Sequence, residues 1–117
     1  MKNNTRMIRI NDEIKRELSE IIRSDLKDPR VSVMTSVLKV DTTNDLKYCK
    51  VYISVLGDEN QKAEVLTGLK NAAGFIRKQV ATKINLRSTP QFKFLIDDSL
   101  EYSIKISKLI DEVNKGE

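Results

Sequence analysis

Between Gln61 and Leu86 an apolar periodicity of three and four residues runs through two helical lengths. It is interrupted once, at Ala72-Ala73-Gly74. Ala63, Leu66, Leu69 and Ala73 form the apolar set of the first length, and Phe75, Ile76, Val80 and Ile84 that of the second. The polar side is basic: from Lys62 to Lys93 there are seven Lys/Arg residues and one acid, Glu64. Helices of this kind bury their apolar faces against another layer, and the rest of the chain supplies it.

A first helix is predicted from about Arg6 to Leu26, where Ile10, Ile14, Leu18, Ile21 and Ile22 recur at helical spacing, with Asp28-Pro29 as its stop. Val31 to Val40 is β-branched and predicts a strand. Asp41-Thr42-Thr43-Asn44-Asp45 is turn chemistry, because Asn and Asp side chains bond their own local backbone. Leu46 to Leu56 alternates as a second strand, with Cys49, Val51, Ile53 and Val55 on one face and Tyr48, Lys50, Tyr52 and Ser54 on the other. Gly57 to Asn60 ends it, Gln61–Ala72 and Phe75–Leu86 are the helix pair, and Ser88-Thr89-Pro90 breaks the pattern. Gln91 to Asp97 gives a third strand and Ser99 to Val113 a last helix. The order α-β-β-α-α-β-α predicts an α+β fold with helices packed on one sheet face, as a single domain over residues 1–117.

Histidine is absent, which removes the commonest general base and transition-metal ligand together with every Ser-His or Cys-His pair. Cys49, the one cysteine, cannot form an internal disulfide and falls on the apolar strand face as an inert thiol. Neither GxGxxG nor GxxxxGK[ST] occurs. Asp97-Asp98 at a strand end has the chemistry to bind magnesium or act as an acid/base pair, but also that of an ordinary turn and helix-dipole partner. The expectation is a protein that is not an enzyme and takes no cofactor and no small-molecule substrate. The polar N-terminus and the lack of a run near 20 apolar residues predict a cytoplasmic protein with no membrane partner.

The net charge is +4, and the excess is local: residues 61–93 carry seven bases and one acid, whereas residues 94–117 carry three and six. Such a run is either a solvated helix face or the footprint of a polyanion. In the second reading Arg77, Lys78, Lys83 and Arg87, with Lys70 before the interruption, contact phosphates. A helix restarting near Gly74 also offers backbone N–H groups to an anion. Ala72, Ala73 and Gly74 equally suit close packing of a bent helix. Phe75, Phe92 and Phe94 fall on the apolar side and read as core, while Tyr48 and Tyr52 lie on the wet sheet face. A rival reading makes the helix pair a groove for a partner peptide, a non-ribosomal protein-interaction module.

The α-β-β-α-α-β core resembles a type II KH domain, an RNA-binding fold whose helix pair brackets a GxxG loop. Here no GxxG occurs, and Ala72-Ala73-Gly74 stands in its place. That replacement, followed by Phe75-Ile76-Arg77, is similar to the bacterial ribosome-binding factor A family. So are the Arg6–Glu20 helix, Leu26-Lys27-Asp28-Pro29-Arg30, the strand Tyr48–Val55, Leu86-Arg87-Ser88-Thr89-Pro90-Gln91-Phe92-Lys93-Phe94 and Asp97-Asp98-Ser99. The resemblance covers nearly the whole chain. It implies a small, non-enzymatic factor that binds the immature small (30S) ribosomal subunit and 16S ribosomal RNA, and that assists late maturation and RNA processing, including in the cold; a monomer is expected. It carries an RNA-facing role to Lys70, Gly74, Arg77, Lys78, Lys83 and Arg87, and further to Arg6, Arg9 and Arg30. Some members of the family have a long basic C-terminal tail; this sequence ends with an acidic bias.

Overall fold

A computed structural model describes residues 2–26 and 29–97; the helix expected over Ser99–Val113 lies outside the described residues. Helix α1 spans Lys2–Glu20, starting before the expected Arg6. Ile10, Ile14, Leu18, Ile21 and Ile22 are all buried, so the stripe read from the sequence is the one that meets the sheet. The helix does not run on regularly to Leu26. Ile21–Asp25 form a π-helical turn closed by the Leu26 N–H donating to the Ile21 carbonyl at 3.1 Å. The widened turn keeps both adjacent isoleucines in the core.

The first strand begins later than its β-branched residues suggested. Pro29–Met34 form a short helix, α2, and β1 spans Thr35–Thr42. Proline suits the first helical position, where its missing N–H has no helical partner to lose. The turn places Val31 in the core at 1% exposure, and that burial overrides its preference for a strand.

Strand β2 spans Tyr48–Val55 and pairs antiparallel with β1, from Thr35 opposite Val55 to Thr42 opposite Cys49. The register shifts between Val37 and Lys39, which lets Val37 face Ile53 and Val40 face Val51. The hairpin loop is tied by its own side chains. Thr43 Oγ1 donates to the Asp45 carboxylate at 2.7 Å and accepts the Tyr48 N–H, and the Lys47 N–H donates to the same carboxylate. The Thr43 hydroxyl and then the Lys47 N–H hold the Asp45 carboxyl below its ordinary range. Leu46 sits at φ 61°, a conformation that costs a non-glycine residue roughly 1–2 kcal/mol. Its side chain is 3% exposed, and burial worth about 1.5–3 kcal/mol offsets the strain.

Strand β3, Gln91–Ile96, pairs parallel with β2, with Cys49 opposite Phe92 and Val51 opposite Phe94, and the sheet order is β1-β2-β3. A parallel pair needs a crossover. It is formed by α3, Glu59–Asn71, and α4, Ala73–Lys83. The Asp58 carboxylate caps α3 by accepting the Gln61 N–H, while Gln61 Oε1 accepts the Asp58 N–H, both at 2.8 Å.

The inward face of α3 is Lys62, Val65 and Leu69; Ala63, expected inside, is exposed. Lys62 buries its aliphatic stem, with Nζ 3.9 Å from the Glu59 carboxylate. Helices cover one face of the sheet. Lys39, Tyr48 and Lys50 are exposed on the other, where Lys39 Nζ lies 4.9 Å from the centre of the Tyr52 ring. No helix among the described residues is long and apolar enough to cross a membrane.

Gly57, at φ 139°, joins β2 to α3, and a Cβ there would stand 2.4 Å from Gln61 Oε1 and 2.8 Å from Met34 Cε. Gly57→Ala both strains the backbone and displaces the capping glutamine. It should cost about 2–3 kcal/mol in urea denaturation; a loss below about 0.5 kcal/mol would contradict this account.

Candidate nucleic-acid interface

The helix pair breaks at a single residue. Ala72 has φ −89° and ψ 0°; its N–H donates to the Gly68 carbonyl at 3.0 Å, and its carbonyl accepts the Ile76 N–H at 2.8 Å. One residue therefore closes α3 and opens α4. Leu69, Ile76, Val80 and Ile84 are buried on either side of it, and Ala72 is half-buried against the same core. The apolar spacing carries across the break, which is why the sequence shows one periodicity. Ala73 lines an open groove of about 400 Å³ between the helix junction and β3, together with Leu66, Lys70, Phe92, Lys93, Leu95 and Ile96.

Gly74 is a different case. It is exposed, and a Cβ built on it meets no heavy atom within 4 Å. Close packing accordingly does not account for this glycine, although it suits the two half-buried alanines. Phe75, expected inside, is 43% exposed. Ile76 takes the inward position beside it, and one step along a helix rotates a side chain by about 100°.

The basic residues separate by their partners. Arg77 donates from Nε and Nη2 to the Thr89 carbonyl at 3.1 and 2.9 Å, fixing the turn that leads through buried Pro90 into β3. Lys83 Nζ is 3.3 Å from the Asp25 carboxylate beyond α1, and Arg30 bonds Glu64 on α3 at 2.9 Å. Lys70 and Lys78 are exposed on α3 and α4. Arg87 lies with Arg6 and Arg9 around an open cleft of about 440 Å³, whose floor includes Ile10, Leu46 and Leu86 and whose rim carries one acid, Glu13. Three arginines from opposite ends of the sequence thus converge on one cleft.

No group of three or more metal-ligating side chains occurs among the described residues. Cys49 is fully buried, and desolvation pushes its thiol pKa up. The arrangement of exposed lysines and arginines offers cations to an anion.

A family model, ribosome-binding factor A, matches residues 6–110. The chain belongs to the ribosome-binding factor A family. Ribosome-binding factor A of Lachnospira eligens is 55% identical over 114 residues, covering 97% of this chain and 88% of the relative. The crystal structure of ribosome-binding factor A from Thermus thermophilus superposes with a TM-score of 0.68 at 26% identity, covering 77% of this chain and 93% of that one. A homology model of the Thermus thermophilus factor, fitted into the cryo-EM map of its complex with the 30S subunit, matches with a TM-score of 0.61 at 26% identity. It covers 75% of this chain and 91% of that one.

Gly74→Ala should stabilise the protein by roughly 0.5–1 kcal/mol, because alanine is the better helix former and the added methyl enters open space. Thermal unfolding checks this; a lowered melting temperature would show that the glycine has a structural role after all.

Proposed function

We propose that the chain is an assembly factor that binds the immature small (30S) ribosomal subunit through 16S ribosomal RNA. In this reading it acts as a monomer in the cytoplasm, without catalysis, and assists late maturation and processing of that RNA, including in the cold. The observation that carries the reading is the exposed cationic surface of Lys70, Lys78 and the Arg6–Arg9–Arg87 cleft on a fold shared with a factor fitted into a 30S complex.

Phosphate attracts these groups and releases counterions on binding, so association should weaken steeply as salt rises. Most such contacts read the position and shape of the RNA backbone and not its sequence. Arg30 belongs to the same proposed surface through an exposed ion pair, worth about 0–1 kcal/mol and readily exchanged for phosphate, and Lys83 through a half-buried one. Arg77 contributes by holding the 88–90 turn, and Gly74 by leaving the start of α4 open. The peptide-groove reading has less support, since the family is that of a ribosome-binding factor and a member of it has been fitted into a 30S complex.

The test is Lys78→Glu combined with Arg87→Glu, both exposed and away from the core. The double variant should keep its melting temperature. It should lose about tenfold or more in co-sedimentation with immature small subunits, and its log–log salt slope should fall by about 2. Undiminished binding at low salt would remove these residues from the interface.

A further inference from the structure

The outward face of α4 holds an exposed ring that the core does not explain. Ile76, Val80 and Ile84 turn inward, and Phe75 stands 43% exposed. The other large exposed apolar residues among those described, Ile8, Tyr48 and Leu56, lie outside α4, so Phe75 is the large exposed apolar side chain of this helix. Its surroundings are polar. Lys78 lies three residues on along α4 and is exposed, a position that helical geometry brings beside it, and Asn71, also exposed, ends α3 just before the break. Lys78 has no ion-pair partner among the described residues, unlike Lys83 and Arg30. Immediately before the ring comes Gly74, where a side chain would meet nothing for 4 Å and where glycine lowers helix stability.

An exposed aromatic ring, a cation one helical turn away and a bare backbone beside them match the three parts of a nucleotide: a flat base, a phosphate and the bulk of a sugar. Building on the RNA-binding reading above, we propose that Phe75 is a stacking platform for an unpaired base of the bound RNA. Gly74 leaves room for the sugar–phosphate to approach α4, and Lys78 contacts the phosphate. Stacking needs only the face of a base, so it tolerates sequence while demanding that the base be unpaired. The factor would thereby distinguish a strand that is still open from one already folded into a duplex, which phosphate contacts alone do less well. An apolar contact to a ribosomal protein is the competing use of the ring, and such contacts centre on packed apolar clusters that α4 lacks.

Four variants at this exposed position test the proposal in binding to immature small subunits, with circular dichroism and melting temperature as controls for folding. Phe75→Ala and Phe75→Leu should each weaken binding about tenfold, while Phe75→Trp should retain or tighten it, because leucine keeps the apolar bulk and loses the π-face. Replacing Phe75 by p-azidophenylalanine should yield a photo-crosslink to a single-stranded nucleotide of the RNA. Phe75→Leu binding as well as the native protein, or a crosslink that goes to a ribosomal protein, would overturn the stacking role and leave the RNA-binding reading standing. Failure of the native chain to bind small subunits would remove both.

Discussion

The packing of α1 on the sheet is the interaction on which the rest depends. Ile14, Leu18 and Ile21 are fully buried there, with Ile10 and Ile22 nearly so, and each such side chain is worth about 1.5–3 kcal/mol removed from water. The Asn11 carboxamide oxygen accepts the Thr42 N–H at 3.1 Å and pins the helix to the end of β1. Because α1 also packs on α4, the same contact sets where Arg6 and Arg9 stand relative to Arg87. The basic cleft is the outer edge of a hydrophobic joint, and its geometry is inherited from the core.

The parallel pairing of β2 and β3 has a similar reach. It obliges the chain to cross the sheet between them, and the crossing is made by two helices of which the second, α4, carries Arg77, Lys78 and Lys83 and no acid. Their inner residues close the core, so their outer residues are held at fixed positions on a rigid support. Charge on this surface is also graded. Arg77 is committed to a backbone carbonyl, Arg30 to an exposed carboxylate, Lys83 to a half-buried one, and Lys78 to none among the described residues.

Where periodicity and burial agree, the fold was legible in the residues: the α1 stripe, the alternation of Cys49, Val51, Ile53 and Val55, and the single break in the helix pair all have their expected places. Misreadings arose where one residue type serves two purposes. Val31 looked like a strand residue, yet Pro29 in front of it was the sign of a helical start. Lys62 looked like surface, but its stem buries and turns Ala63 outward. Phe75 looked like core because aromatic residues usually are. The type of each basic residue was visible, but its partner was not: Arg77 finds a carbonyl 12 residues away, Arg30 a carboxylate 34 away and Lys83 one 58 away. Such pairings exist only after the chain has folded, and periodicity carries no record of them.

The shared residue at the helix junction has a thermodynamic consequence. Ala72 is bonded on both sides and lies between Leu69 and Ile76, both anchored in the core, so hydrogen bonds and packing hold the elbow from each side. A glycine-rich loop in that position would sample many conformations and lose that freedom when it gripped a ligand. This elbow is ordered beforehand, so little conformational entropy is left to lose on association. On the RNA-binding reading proposed above, its fixed angle would make it a template to which a flexible RNA conforms.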